Sequence, residues 1–544
     1  MSAHWTQVGS EGPAVAGEGP IGSEARSMTG AESMLRSLTA CGVDTCFANP
    51  GTSEIHFVAA IDRVGGMRPV LCLFEGVATG AADGYARMAE RPAATLLHLG
   101  PGLANGLANL HDARRALSPI VNIVGDHTVL HRQFDAPLTS DIEGFSRPVS
   151  SFVRTVRDVG DAGRDAAQAV AAARSVPGVA TLIVPADISW STGGIVAEPV
   201  RPVQPTPVAA ARIAATADAL RAAQRPAMLM SGRVLRRASL EHAGRVAAAT
   251  GARLYCDFFA PRIERGAGLV PLRRLPYFGE RVIEELTGTD LLILIETDPP
   301  VSFFGYPDLP GELTPPGTRL LQLAKRSEDG PSALGALADL VGSSAGVTRQ
   351  ALARPDLPKG ALTPASAAAV IAALLPENSI VVDESCTSGM AVQPLCQGAA
   401  PHDWLSHTGG ALGLGLPLSA GAALSCPERK TVCLLGDGSA MYTLQTLWTL
   451  AREQLDVIAI VFANRAYSII NHELKRLGVS SGPAALSMID LTRPELRFAD
   501  LARGMGVEGS RVESAESLAS ALKSAVTTRG PRLIELALAV DRLP

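Results

Sequence analysis

A chain of 544 residues is long enough for about three or four domains. Hydrophobic residues make up 47% and charged residues 19%, the balance of a soluble globular protein with a large core. The formal net charge of −5 gives no ground for binding to nucleic acid or to an anionic membrane.

Residues 1–27 are rich in Gly, Ser and Glu and lack a basic start followed by an apolar core. They read as a disordered tail and not as a secretory signal. The apolar runs further on are too short to span a bilayer, so a cytoplasmic location is expected by default. Eight cysteines (Cys41, Cys46, Cys72, Cys256, Cys386, Cys396, Cys426, Cys433) form no CxxC pair. They read as thiols of a reducing compartment, with neither a disulfide frame nor a zinc site.

The first block, 28–197, alternates strand and helix patterns, with strands expected at 43–48, 70–74, 94–99, 120–125 and 180–184. Each is short, apolar and closed by a Gly, Pro or polar turn, as in a buried parallel sheet. The turn Asn49-Pro50-Gly51-Thr52-Ser53-Glu54 follows the first of these strands. The second runs into Glu75, which opens the small-residue stretch EGVATGAADGYAR. A carboxylate at a buried strand end is costly without a partner, although a helix N-terminus would also stabilise it. His98 stands in LLHLGPGLAN, placed to relay protons near neutral pH or to be a hydrogen-bonded core histidine. His127 and His131 are four apart, but the residues between them do not read as a zinc helix.

A Pro-rich connector, EPVRPVQPTPV, leads to the second block, 209–340. Its strands are expected at 227–230, 253–256, 291–295 and 320–323, with a helix at 238–250. A looser connector leads to the third block, 364–544, with strands at 380–383, 432–435, 458–462 and 533–536. The expected architecture is α/β: three doubly wound domains with parallel sheets.

The third block carries the sharpest pattern. An apolar run stops at Gly436-Asp437-Gly438, a helix-like stretch follows, and a second apolar run stops at Asn464, 27 residues after Asp437. In a parallel sheet both strand ends open on one edge, where the carboxylate and the carboxamide can meet. Two such oxygens beside a glycine turn with free N–H groups suit a hard cation gripping a diphosphate. The plainer reading is an ordinary Asp capping a helix.

The segment resembles the diphosphate-binding motif of thiamine diphosphate enzymes, Gly-Asp-Gly followed at this spacing by Asn-Asn; here Ala463 replaces the first Asn. The resemblance covers nearly the whole chain after the tail and implies pyrimidine-binding, central and diphosphate-binding domains in that order. It implies thiamine diphosphate and Mg2+ as cofactors, with Asp437, Asn464 and the Ala466 carbonyl as metal ligands. Gly436, Gly438, Ser439, Cys386 and Thr387 would meet the diphosphate. Leu412, between Gly410 and Gly413 in SHTGGALGLGLP, would hold the cofactor's bend, unless it is plain core. Glu75 would hydrogen-bond N1′ of the aminopyrimidine. Thr52 and His98 match substrate-binding and catalytic positions of benzoylformate decarboxylases, whose second histidine is missing from PPVSFFGYPDLPG.

The chain is most similar to acetolactate synthase-like proteins of the large-subunit type, which implies decarboxylation of a 2-oxo acid with carboligation. Benzoylformate-type decarboxylation, a 2-hydroxyacyl-CoA lyase and a non-catalytic homologue are the alternatives. A nicotinamide dehydrogenase is disfavoured by the glycine spacing of GPGLANG. FAD, common in acetolactate synthases, is doubtful because 209–340 shows no clear flavin signal. Family geometry implies a homo-oligomer, dimer or tetramer, with Glu75 of one subunit near Asp437 of another.

Overall fold

A computed structural model describes residues 28–175, 177–342 and 346–540; the tail expected at 1–27 lies outside the described residues. The first sheet contains β1 (Thr45–Asn49), β2 (Arg68–Leu71), β3 (Ala93–Leu97), β4 (Ile120–Asp126), β5 (Phe152–Thr155) and β6 (Val179–Pro185). Their spatial order is β2-β1-β3-β4-β6-β5, parallel throughout. The second stretch supplies β7 (Pro226–Met230), β8 (Arg253–Cys256), β9 (Arg262–Arg265), β10 (Arg273–Arg274), β11 (Leu291–Ile295) and β12 (Arg319–Ala324). All but β9 form a parallel sheet ordered β10-β8-β7-β11-β12.

The third sheet is built from β13 (Ile380–Glu384), β14 (His402–Ser406), β15 (Thr431–Gly436), β16 (Val457–Ala463), β17 (Glu508–Val512) and β18 (Arg532–Ala537). Its order is β17-β18-β16-β15-β13-β14, with β9 added antiparallel to β14 at the edge. The inner strands are buried on both faces; β16, VIAIVFA, is buried at every position. This is why they read as unbroken apolar runs.

In each sheet the strand order reverses at an inner pair of strands. The reversals fall between β1 and β3, β7 and β11, and β13 and β15. At such a point the loops leaving two neighbouring strands diverge and leave a crevice beyond the strand ends. The first crevice is flanked by Asn49 and Leu97, the second by Met230 and Ile295, the third by Glu384 and Leu435, each pair in register.

The Glu75–Ala89 helix joins the first sheet to the third by packing on the Gly415–Ser425 helix. A Cβ on Gly84 would lie 2.0 Å from the Leu418 carbonyl oxygen, and one on Gly421 would lie 1.8 Å from that of Ala81. The two backbones meet because neither position carries a side chain. Beside this contact Arg87 donates to both oxygens of Asp83 at 2.7 and 2.5 Å and to the Ser406 carbonyl at 2.6 Å. Arg262 of β9 binds Asp403 at 2.7 Å and the Arg87 carbonyl at 3.1 Å. The first and third sheets therefore share one buried polar junction, every charge of which is paired.

One expectation needs correction. The strand before Glu75 ends at Leu71, where its pairing with β1 runs out, and Glu75 is the first residue of the following helix. Among the described residues no helix is long and apolar enough to cross a membrane.

Candidate active site

The third crevice holds the Gly-Asp-Gly turn. Asp437 is 4% exposed, accepts N–H bonds from Gly438 at 2.8 Å and Arg465 at 2.6 Å, and forms no ion pair among the described residues. Burial pushes its carboxyl up to about 6. Asn464 sits on the same edge and donates to the Ser388 and Ser468 hydroxyls at 2.8 and 2.9 Å. Its carbonyl oxygen accepts the Ala466 N–H at 3.0 Å. Asp437 and Asn464 are thus joined through the backbone between Asn464 and Ala466. Ser439 donates to the Gly436 and Glu384 carbonyls at 3.1 and 3.3 Å, which fastens this turn to the one leaving β13. A Cβ on Gly438 would meet the Tyr467 ring at 2.4 Å, so the turn admits no side chain there.

Cys386 and Thr387 follow β13, and with Gly410 and Leu412 they line a cavity of about 710 Å³. Cys386 takes φ +51°, and burial pushes its thiol up to about 12, which makes it inert. Gly410 (φ +74°) and Gly413 (φ +94°) let the loop double back beside Leu412. The cavity's opposite wall comes from the second sheet: Phe258, Phe259, Tyr277, Phe303 and Phe304. These rings pack on each other, Phe258 to Phe259 at 4.8 Å and Tyr277 to Phe303 at 5.1 Å.

The first crevice holds the other expected residues. His98, 25% exposed and capping the Leu99–Ala116 helix, donates from Nδ1 to Glu54 Oε2 at 2.8 Å. Glu54 also accepts the Gly51 N–H at 2.8 Å, while its other oxygen is buried without a partner. Burial raises the Glu54 carboxyl, opposed by His98. Gly51 and Gly125 leave room for the pair: a Cβ on either would strike the His98 ring or the Glu54 carboxylate. Glu75 is buried and accepts from Asn105 Nδ2 at 2.9 Å. Thr52 is exposed at the start of the same turn.

Two half-sites result. Among the described residues no hydrogen bond or ion pair links Glu75, His98 or Thr52 to Asp437 or Asn464. His127 and His131 lie with ring centres 5.3 Å apart, and among the described residues no group of three or more His, Cys, Asp or Glu is placed to hold a metal ion.

The second crevice is filled from within. Glu296, at φ +54° just after β11, accepts the Arg233 N–H at 2.7 Å and an Arg233 guanidinium N–H at 2.6 Å. A Cβ on Gly232 would lie 2.5 Å from one Glu296 oxygen, and one on Gly330 would lie 2.7 Å from the other. A carboxylate therefore stands where a dinucleotide pyrophosphate would rest.

The comparisons fit this geometry. Residues 28–145 match the model of the thiamine pyrophosphate enzyme N-terminal TPP binding domain, and residues 384–536 that of the C-terminal TPP binding domain. A Mycobacterium tuberculosis protein that carries an acetolactate synthase large-subunit name, IlvX, is 49% identical over 94% of this chain and 99% of its own. The chain belongs to the thiamine pyrophosphate enzyme family. Benzoylformate decarboxylase of Pseudomonas aeruginosa is 29% identical over 91% of this chain and 96% of its own. Among solved structures, the thiamine diphosphate-dependent 4-hydroxybenzoylformate decarboxylase of Rhodococcus jostii RHA1 superposes with a TM-score of 0.82 at 25% identity. That match covers 94% of this chain and all of the other. As a thiamine pyrophosphate enzyme, the protein uses the first and third sheets for cofactor binding, which is where both half-sites lie.

Sequence reasoning missed Glu54, Asn105, Asp112 and Glu384. Glu54 was within the quoted turn, three residues after Gly51, at the spacing of a reciprocal cap. Glu384 stands two residues before Cys386. Asp112 lies mid-helix in no motif and gave no signal.

Proposed function

We propose that the protein decarboxylates a 2-oxo acid with thiamine diphosphate and Mg2+ and joins the product to a second carbonyl, in the manner of its acetolactate synthase-like relatives. The observation that carries this reading is Asp437, a buried carboxylate with N–H partners but no cationic side chain. A divalent ion would complete it. Asp437, the Asn464 carboxamide and the Ala466 carbonyl would hold Mg2+, and the N–H groups of Gly438 and Ser439 with the Cys386-Thr387 turn would take the diphosphate. Bound thiamine diphosphate supplies an acidic ring carbon and an electron sink for the departing carbon dioxide. Glu75 would hold a proton at the aminopyrimidine N1′, and Leu412 would support the cofactor's bend. Glu296 in the second crevice argues against FAD and against a CoA nucleotide, since its side chain, paired with Arg233, fills the space between Gly232 and Gly330.

Release of an aldehyde is the second reading, and the Glu54–His98 pair favours it. A carboxylate fixing Nδ1 leaves Nε2 to deliver a proton. Identifying products after incubation with a panel of 2-oxo acids decides between them. Carbon dioxide with a ligated product supports the first outcome, and carbon dioxide with aldehyde alone the second. No uptake of thiamine diphosphate with any divalent ion would overturn both.

We also assign a homodimer or larger assembly. Exposed large apolar side chains stand beside both half-sites: Ile55 and Leu73 near Thr52 and Glu75, Met441 and Tyr442 after Ser439. A second copy would cover them and bring the half-sites together.

A further inference from the structure

The cavity beside Leu412 is far larger than a three-carbon acid needs. At about 710 Å³ it falls in the ~300–1,000 Å³ range of pockets that bury drug-sized ligands, even with one end given to the cofactor. Glu296, paired with Arg233, fills the turn between Gly232 and Gly330, and the rest of the cavity is open to a substrate side chain.

Four carboxylates line this cavity, and three are paired. Glu296 meets Arg233 at 2.6 Å, Asp298 meets Arg326 at 3.2 Å, and Asp383 faces Arg274 at 3.8 Å. Asp257, just after β8, has no ion pair among the described residues; Thr297 Oγ1 donates to its Oδ2 at 2.9 Å. Protein surrounds it, and its accessible face is the cavity wall. Phe258 and Phe259 follow it directly. Phe259 packs on Phe303 at 5.1 Å and on His407 of the opposite wall at 4.7 Å, so the aromatic cluster bridges from Asp257 towards the Leu412 loop. The chain has 23 aromatic residues, and five of them line this one cavity. Aromatic faces beside a half-buried carboxylate suit an apolar body that ends in a hydrogen-bond donor.

Building on the 2-oxo acid reading above, we propose that the substrate's side chain lies along Phe258, Phe259, Tyr277 and Phe303 and ends in a hydrogen-bond-donating tip seated on Asp257. A cationic amine or guanidine and a phenolic hydroxyl share this chemistry. A site built around a polar tip discriminates against the analogue that lacks it, because Asp257 then forgoes the charge-assisted bond and keeps only its hydroxyl partners.

The test uses the holoenzyme and two substrate pairs that differ in the tip: phenylglyoxylate against 4-hydroxyphenylglyoxylate, and 2-oxohexanoate against 2-oxo-5-guanidinopentanoate. Wild-type protein should prefer the tipped member of one pair by at least about tenfold in kcat/KM. Asp257→Leu should abolish that preference, with kcat/KM for the tipped member falling at least about tenfold further than for its untipped partner. Asp257→Asn separates the tips: it keeps the phenol and loses the guanidine at least about tenfold. If the Leu variant loses all turnover, the Asn variant's change in preference is decisive. Equal rates within both pairs, or a preference that survives both substitutions, overturn the proposal. No carbon dioxide from any of the four acids counts against the 2-oxo acid reading itself. Calorimetric binding of the same acids then tests Asp257, and equal affinities of tipped and untipped acids for wild type overturn it.

Discussion

The Glu384 carboxylate accepts the Gly413 N–H at 2.6 Å, which ties the residue after Leu412 to the strand end that leads into Cys386. It also accepts from Leu414 at 3.2 Å and Gly415 at 2.9 Å. At the loop's other end Asp112 accepts the Gly409 N–H, and its carbonyl accepts the Thr408 hydroxyl at 2.6 Å. The Leu412 loop hangs between two buried carboxylates, one beside each cofactor-binding sheet. Glu384→Ala would strand three N–H donors and should destabilise the protein by about 3 kcal/mol. A lower melting temperature and weaker retention of thiamine diphosphate would be seen together, with Glu384→Gln intermediate. A variant that melts with wild type would refute the clamp.

Both carboxylates also set a pH dependence. Burial pushes Glu384 from 4.5 up to about 8 and Asp112 from 3.8 up to about 7. Between the unfolded and folded values the native state keeps a proton that the unfolded chain gives up, so raising the pH through that window favours unfolding. Above about pH 8 the penalty is constant. Asp112→Asn keeps an acceptor for Gly409 but removes the titration. Its melting temperature should therefore fall less steeply than wild type between about pH 4 and 7. Parallel curves would contradict this.

The helix contact between the first and third sheets predicts a steric result. Gly84→Ala drives a methyl group into the Leu418 carbonyl and Gly421→Ala into that of Ala81, in both cases against backbone. Each should cost at least about 1–3 kcal/mol, and the pair less than the sum, because one separation of the helices relieves both. Thermal melts of the two single variants and the double variant read this directly.

Legibility in the sequence followed burial. Strands shielded on both faces, such as β11 and β16, were found because nothing polar interrupts them. Missed were β5, β9, β10 and β17, which lie at sheet edges, and β14, which opens on His402-Asp403. In β9, Arg262-Ile263-Glu264-Arg265, the charges belong to the inter-sheet junction, and pairing with a distant stretch leaves no local trace. The same holds for the site. Asp437, Glu75 and His98 stand in compact motifs beside glycines and Asn464 closes an apolar run 27 residues after Asp437, whereas Asp112 acts on a loop some three hundred residues away. The cavity's aromatic wall is scattered between Phe258 and Phe304, and only folding gathers it.

His98 and Glu54 should behave as a unit in the proposed chemistry. His98→Ala removes the proton donor and should lower kcat for aldehyde release by about 10²–10⁴-fold. Glu54→Gln, which keeps the shape but weakens the hold on Nδ1, should lose less, and the double variant should be no worse than His98→Ala. Carbon dioxide and aldehyde measured separately locate the defect. A fall in aldehyde with carbon dioxide release preserved assigns the pair to protonation. Equal losses of both assign it to an earlier step.

The separation of the half-sites makes the assembly testable through activity. Glu75→Gln removes the N1′ partner and Asp437→Ala the metal ligand, so each variant alone should lose turnover while keeping its fold by circular dichroism. If each site takes Glu75 from one subunit and Asp437 from its partner, a mixed dimer has one site with both defects and one with neither. Random reassortment makes half of the dimers mixed, and activity should return to about a quarter of wild type. If the two residues served one site within a single chain, every site in the mixture would keep a defect and nothing would be recovered.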